Sequence, residues 1–349
     1  MKIACITDTH IAFKKTNINF HNYFEKFYSD IFFPELEKRN IEFVIHLGDA
    51  FDNRKGIDYV GLEWAQRVIY DRLRDLKITV YQICGNHDAT MRSTNKYNSI
   101  ETLLREYENV IPITGPKEFE ISGVKTLFIP WICKNNEEET FKMLQESSAK
   151  LVFGHLELSG FTLFPGQLNT HGMTTERFDK FDRVFSGHFH TQSSDGKIFY
   201  LGNPYQMFWS DVDDTRGFHI FDNKTYDLEF IENPYKIYKK IYYDQGTKDL
   251  NENFEDLTGK YIKVIVKNKT NESEYSRFIS KITESNIIDL KIVDVNTVDD
   301  SNVNIEELDI EDTVTTLNKY IEESDFSLDK DMIKKILFTV YQEALELEI

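Results

Sequence analysis

Through roughly the first two-thirds of the chain, short apolar runs alternate with stretches in which apolar residues return every three or four positions. Lys2 to Thr7, Glu42 to Leu47, Thr79 to Cys84, Val124 to Ile129, Leu151 to Gly154 and Arg183 to Ser186 are rich in Val, Ile and Phe and close on Gly or polar residues. Continuous apolar runs of this length predict strands buried on both faces. Between them, Phe20 to Glu37 and Tyr59 to Leu76 carry apolar residues at helical spacing, Val60, Trp64, Val68 and Leu73 among them, with charges on the other side. That spacing predicts helices covering a sheet. Phe199 to Leu201, Gly217 to Phe221 and Leu228 to Ile231 follow without intervening helices and predict an antiparallel second sheet. Residues 1–231 thus read as one α/β domain.

Near Asn233 and Pro234 the pattern changes. Strands over Lys236 to Tyr243 and Tyr261 to Lys267, a helix over Ser273 to Glu284 and a strand over Ile287 to Val293 predict a small α+β unit spanning 235–294. Residues 295–307 are dominated by Asp, Asn, Ser and Glu, too polar to pack by themselves, and read as a linker. The remainder, 308–349, carries two helical patterns. One runs through Val314, Leu317 and Ile321; the other sets Ile333, Ile336, Leu337, Val340, Tyr341 and Ala344 along one stripe, and together they predict a helical hairpin. No internal repeat of roughly 20–50 residues is visible.

The chain has 349 residues, 40% of them hydrophobic, with 27 Phe and 18 Tyr, enough apolar material for packed cores and too much for a disordered protein. Apolar runs stay far shorter than the roughly 18 residues of a membrane span, and Asp8 and His10 interrupt the start before a signal-peptide core forms. A soluble, unexported, cytoplasmic protein is the expectation. Cys5, Cys84 and Cys133 lack CxxC spacing and cannot all pair, which suits a reducing compartment and core positions rather than a thiolate metal site. The formal net charge of −18 argues against an unaided, nonspecific grip on nucleic acid. It leaves phosphate substrates open, because bound cations can reverse the field inside one cleft.

Five polar patterns recur immediately after predicted strands: Asp8-Thr9-His10, Gly48-Asp49-Ala50-Phe51-Asp52, Gly85-Asn86-His87-Asp88, Gly154-His155 and Gly187-His188-Phe189-His190. Strand ends in an open α/β sheet converge on one edge, so these residues are expected in a single crevice. Taken singly, each pattern arises readily by chance; five in this order at strand ends do not. The donors are His10, His155, His188 and His190, the carboxylates of Asp8 and Asp49, and the amide of Asn86, with no sulfur. Such a mixture suits manganese, iron or zinc. It exceeds one four-coordinate ion and fits a pair, with Asp49 the best candidate for a shared carboxylate. His46, inside an apolar run, reads as a structural histidine, and His171 stays open.

In order and spacing these motifs resemble those of the dinuclear metallophosphoesterases, over about residues 1–231. Within that superfamily, the small domain after the catalytic part, the polar linker and the helical end resemble the SbcD-type nuclease subunits of DNA double-strand-break repair complexes, in the short form of T4-like phages. The resemblance implies a two-sheet sandwich flanked by helices, a capping domain over 235–294 and a C-terminal partner-binding segment. It implies two divalent ions, with manganese expected and magnesium, iron or zinc possible. Asp8, His10, Asp49 and His190 would hold one, and Asp49, Asn86, His155 and His188 the other. It also implies that His87 faces the scissile phosphate, with Asp52 holding its imidazole; a carboxylate on one ring nitrogen fixes the tautomer and raises basicity. Asp88 is the alternative holder.

The activity so implied is hydrolysis of DNA phosphodiester bonds by a water that the two ions acidify. Arg54 and Lys55 are candidate phosphate contacts, as are Arg92 and Lys96, although exposed basic loop residues are commonly just solvated. The catalytic part shows no Lys/Arg stripe. A DNA-positioning surface is therefore expected to be dispersed, to lie around Lys236, Lys239, Lys240 and Lys263, or to come from a partner. By resemblance that partner is an SbcC-type, SMC-like ATPase gripped through the stripe from Ile333 to Leu345, and the helices over Phe20 to Leu36 and Tyr59 to Leu76 contribute to a homodimer. If phage-encoded, the protein would act in the host cytoplasm. Two other functions use the same motifs: a small-molecule phosphoesterase or cyclic-nucleotide phosphodiesterase, and a non-catalytic scaffold.

Overall fold

The computed structural model describes residues 1–15, 17–164, 166–245 and 255–294, together with Ile321, Lys330, 332–334 and 336–337. The predicted linker 295–307 and most of the predicted hairpin fall outside the described residues. The chain divides into two compact units, one of Met1–Met207 with Asp214–Tyr235, the other of Phe208–Asp213 with the chain from Lys236 onward.

The first unit is an α/β sandwich of two six-stranded sheets. One sheet runs Leu228–Glu232, Gly217–Asp222, Lys2–Ile6, Phe43–His46, Thr79–Ile83, Val110–Ile113. Its last four strands are parallel and its first two antiparallel. The other sheet runs Ser193–Ser194, Ile198–Tyr200, Arg183–Gly187, Leu151–His155, Val124–Ile129, Lys117–Ile121, parallel within and antiparallel at each edge. The period-two alternation of strands decides what lies between the sheets. Ile3, Cys5, Ile45, Tyr81, Ile83 and Phe221 from one meet Phe128, Leu151, Phe153 and Phe185 from the other in one buried cluster. Alternate residues Leu127, Ile129, Val152 and Val184 face outward and are covered with Leu144 of the helix Glu137–Glu146.

The late strands depart from the expectation of a separate antiparallel sheet. Gly217–Asp222 lies antiparallel to Lys2–Ile6 and extends the first sheet, while Ile198–Tyr200 joins the second sheet parallel to Arg183–Gly187. Gly217–Phe221 is buried along its length, and a run buried on both faces needs an inner position with partners on each edge. Two edge strands go beyond those expected, Val110–Ile113, whose Pro112 lacks an N–H to donate, and Lys117–Ile121, with its polar Lys117, Glu118 and Glu120.

Both covering helices contain a π-turn. The first runs Ile18–Phe27, widens over Tyr28–Phe32 and continues as Phe33–Lys38. Pro34 has no N–H and its ring would strike the carbonyl four residues back; the preceding wide turn, in which the Phe33 N–H reaches the Tyr28 carbonyl, absorbs it. The second runs Tyr59–Ala65, Gln66–Tyr70 and Asp71–Asp75. Aromatic packing docks the first helix on its sheet: Phe27 and Phe32 lie edge-on to Phe218, and Phe24 stacks on Tyr205 with ring centroids 3.7 Å apart.

In the second unit, Tyr238–Asp244, Tyr261–Asn268 and Asp289–Asp294 form a parallel three-stranded sheet. The helix Glu272–Glu284 crosses from the second strand to the third, capped by the Asn271 side chain, which accepts from the N–H groups of Ser273 and Glu274. Ile241, Ile262, Val264, Phe278 and Ile282 fill its core. The segment Phe208–Asp213 contributes Trp209, whose ring lies 4.6 Å from that of Tyr238. No helix among the described residues is long and apolar enough to cross a membrane.

Candidate metal centre

The five polar motifs lie at the ends of Lys2–Ile6, Phe43–His46, Thr79–Ile83, Leu151–His155 and Arg183–Gly187. Parallel register brings these ends together within each sheet, with Ile6 opposite His46, His46 opposite Gln82 and Gly187 opposite His155. Beyond the strands the pairing continues as loop contacts: Asp8 N–H donates to the Gly48 carbonyl at 3.0 Å and His10 N–H to the Asp49 carbonyl at 3.1 Å. Asp8, His10, Asp49 and His188 all have positive φ, at 51°, 40°, 53° and 84°. Left-handed backbone costs a non-glycine residue about 1–2 kcal/mol, and four such residues in one loop cluster mark a place where side-chain direction outranks backbone comfort.

Close approach demands glycine beside them. A Cβ on Gly85 would stand 2.1 Å from Asp49 Oδ1, and one on Gly187 would stand 2.0 Å from Thr7 Oγ1 and 2.8 Å from Asp8 Oδ2.

Among the described residues the side chains form three donor groups, two of them separate and a third, of His10, Asp52 and His87, sharing His10 with the first. Asp8, His10 and His190 place one ligand atom each within 4.8 Å of one another, and so do Asp49, His155 and His188. In the first group His10 Nε2 and His190 Nε2 face each other at 3.2 Å. In the second, Asn86 Oδ1 lies 2.9 Å from His155 Nε2 and 3.0 Å from His188 Nδ1. Asp49 Oδ2 stands between the groups, 3.9 Å from His10 Nε2 and 3.4 Å from His155 Nε2. Nitrogen and oxygen atoms converging without sulfur, two of them imidazole nitrogens turned on each other, fit a pair of borderline divalent cations.

Hydrogen bonds behind the donors fix their tautomers. His155 Nδ1 lies 2.8 Å from the Leu47 carbonyl, so Nδ1 carries a proton and Nε2 is the nitrogen directed inward. Asp8 accepts from Thr7 Oγ1 at 2.6 Å and from the His188 N–H. His46 behaves as the structural histidine expected of it: Gly48 N–H donates to its Nδ1, its Nε2 meets Thr9 Oγ1 at 2.9 Å, and burial lowers its pKa to about 3. His171 is exposed on a loop.

Asp52 departs from its expected geometry. His87 Nδ1 is held by the Asp52 backbone carbonyl at 2.7 Å, while the Asp52 carboxylate lies 3.1 Å from His10 Nδ1. Among the described residues, Asp88 makes no hydrogen bond to the His87 ring. It is buried and accepts from the N–H groups of Ala50, Phe51 and Gly85 and from Ser99 Oγ, tying the Asp49 loop to the Asn86 loop. Burial and the neighbouring Asp49 push its pKa up to about 6.

The field within the cluster is divided. Burial disfavours the charged form of His10 and His155, yet the surrounding carboxylates outweigh it and push both up to about 9. Burial lowers His188 to about 3, reinforced by positive charge at His155. Burial also opposes the Asp49 carboxylate, but His155, His87 and His10 hold it well below the ordinary range. The cluster as it stands draws positive charge to its centre, on protons where cations would supply it.

Other candidates are more scattered. Arg54 is half-buried and acts electrostatically on His188, whereas Lys55, Arg92 and Lys96 are exposed. Of the lysines suggested as a DNA surface, Lys239 pairs with Asp256, Lys240 lies 3.6 Å from Asp213, and Lys263 is buried with its ammonium 4.4 Å from the Trp209 ring centroid; Lys236 is exposed. Ile333 and Leu337 are half-buried and Ile336 is exposed, while Val340, Tyr341 and Ala344 lie outside the described residues. Sequence reasoning missed Tyr205, whose hydroxyl donates to the Thr9 carbonyl between Asp8 and His10, and the buried Arg216. Neither sits in a motif; Arg216 follows Asp213 and Asp214 just ahead of the apolar run Gly217 to Phe221, where a charged cluster reads as a solvated turn.

Residues 1–192 match the family model of the calcineurin-like phosphoesterases. The chain is 34% identical over 262 residues to exonuclease subunit 1 of Enterobacteria phage T4, covering 73% of this chain and 76% of that protein. A solved structure described as a novel archaeal phosphodiesterase aligns with 67% of this chain and all of its own at 14% identity and a TM-score of 0.34, too loose a likeness to bear on the fold.

Proposed function

The chain belongs to the calcineurin-like phosphoesterase family, and from that premise we propose that it is the nuclease subunit of a DNA recombination and repair complex. Asp8, His10, Asp49 and His190 would hold one divalent ion and Asp49, Asn86, His155 and His188 the other, with manganese the expected metal. Bound there, the ions would offset phosphate charge and acidify a water for attack on a phosphodiester. The observation that carries the reading is the position of Asp49 Oδ2 between two histidine-bearing donor groups. The relationship to a phage exonuclease subunit supports DNA as the substrate.

The remaining roles fall to the chain's own groups. His87, its Nδ1 fixed by the Asp52 carbonyl and its backbone N–H donating to Asp49 Oδ1 at 2.7 Å, leaves ring Nε2 to stabilise phosphoryl charge or pass a proton to the leaving oxygen. Arg54 contributes positive charge at the same edge. The second unit serves as a capping domain, and the stripe Ile333, Ile336, Leu337, Val340, Tyr341 and Ala344 as the seat of an SMC-like ATPase of the SbcC type. Ile18, Tyr59 and Val60, exposed by 60%, 90% and 53% at the starts of the two covering helices, support self-association through those helices. The cytoplasm, the host's if the chain is phage-encoded, is the compartment that this reading implies.

The test is cleavage of end-labelled single- and double-stranded DNA, and of bis(p-nitrophenyl) phosphate, by purified protein with manganese, alone and with its ATPase partner. Manganese-dependent shortening of DNA, abolished by EDTA, is expected. Hydrolysis of the small ester with all DNA left intact would replace the nuclease by a small-molecule phosphoesterase, and no hydrolysis of either would favour a scaffold.

A further inference from the structure

Arg216 is 3% exposed, one residue ahead of the strand Gly217–Asp222. Its Nη1 donates to the backbone carbonyl of His190 and to Asn203 Oδ1, and its Nη2 lies 3.1 Å from Asp214 Oδ2. The loop it grips is fixed from other sides too. Asn203 N–H donates to the same His190 carbonyl at 3.2 Å, Asn203 Nδ2 donates to the Tyr205 carbonyl at 3.0 Å, and the Arg216 carbonyl accepts from Asn233 N–H at 2.7 Å. A Cβ on Gly202 would lie 2.8 Å from the His190 carbonyl oxygen.

A guanidinium taken out of water is costly, more so beside a centre meant to gather cations, and a well-packed apolar side chain would commonly serve stability as well. What the apolar replacement cannot do is donate in a planar fork to a carbonyl and an amide oxygen while facing a carboxylate. We infer that Arg216 is a positioning residue for His190: it holds the backbone of that residue so that the imidazole Nε2 stays 3.2 Å from His10 Nε2 and 3.9 Å from Asp8 Oδ1. The effect is confined to one donor group. In the other, His155 hangs on the Leu47 carbonyl, and His188 is held through its N–H on Asp8 and its Nδ1 beside Asn86 Oδ1. The inference rests on the two-ion reading above and adds to it a residue outside the five motifs.

The experiment is manganese titration of the full chain by calorimetry, with EPR reporting magnetic coupling between neighbouring ions. Wild type should bind two coupled ions. Arg216→Met should weaken one ion by about 10–100-fold, the range typical of losing a group that orients a ligand, leave the other within about threefold, and lose the coupling signal. The retained site certifies the fold. Arg216→Lys, which keeps the charge and one donor arm, should fall between the two and guards against a methionine variant that does not fold. Two ions bound with wild-type affinities by either variant, or equal weakening of both ions in a folded variant, would overturn the assignment. Wild-type protein that held only one ion would instead remove the two-ion reading, and this assignment with it.

Discussion

The Asp52 carboxylate faces His10, 3.1 Å from Nδ1, and not the histidine of the neighbouring Gly-Asn-His-Asp motif. The consequence is a division of labour within one residue. On the proposed assignment its side chain would orient a metal-site imidazole and raise the basicity of Nε2, while its backbone carbonyl holds His87. Asp52→Asn therefore keeps the grip on His87 and weakens that on His10. About tenfold weaker manganese binding is expected, with DNA cleavage restored at high manganese. Calorimetric titration paired with cleavage at saturating metal checks it; lost cleavage with unaltered affinity would return the carboxylate to His87.

His87 stands outside both four-donor sets, its ring edge-on to that of His10 at 4.7 Å. His87→Asn should lower the rate of cleavage by about 10²–10⁴, the range for losing a general acid or base, while both ions bind with nearly wild-type affinity. Single-turnover rates at saturating manganese read the first effect and metal titration the second. Comparable loss of metal would show that His87 supports the ligand cluster instead.

Gly85 offers a steric test of the shared carboxylate. A methyl group there would stand 2.1 Å from Asp49 Oδ1 and 2.3 Å from Asp49 N, both on a loop pinned by Asp88. Gly85→Ala should displace Asp49, weaken both ions together and cost about 1–3 kcal/mol in stability by overpacking. Gly56→Ala, with nothing within 4 Å of its added carbon, is the matched control and should leave metal binding unchanged. Thermal melts with and without manganese separate the two variants.

Much of this architecture was legible in the sequence because its signals are local. Strands such as Lys2–Ile6 declare themselves by apolar runs, and the donors sit where those runs end, so their convergence follows from parallel pairing without knowledge of the tertiary contacts. What was not legible is carried by contacts distant along the chain. Gly217–Asp222 finds its place only by pairing with Lys2–Ile6, more than 200 residues earlier. Arg216 reaches His190 from the far side of the segment Phe208–Asp213, and Tyr205 reaches Thr9 from another loop. The Asp52 case is subtler. The motif spacing brings the right residue to His87, but spacing does not say whether carboxylate or carbonyl makes the bond.

Metal binding should release protons, and the cluster's titration sets the number and the sign. In the metal-free protein His10 and His155 titrate near pH 9, because neighbouring carboxylates outweigh the burial that disfavours their charge. At pH 7 both are therefore protonated, and coordination through Nε2 must displace those protons. Binding is expected to release about two protons at pH 7, to tighten as pH rises, and to lose its pH dependence above about 9. The same shifts act on stability. Since the folded values exceed the unfolded histidine value near 6.5, the stabilisation they provide without metal is complete below that pH and fades as pH rises through about 9. Manganese removes the need for those protons, so the gap in melting temperature between loaded and EDTA-treated protein should widen from pH 6.5 to 9. Calorimetry in buffers of differing ionisation enthalpy counts the protons. A count near zero at pH 7 would mean that these imidazoles are already neutral before the ions arrive.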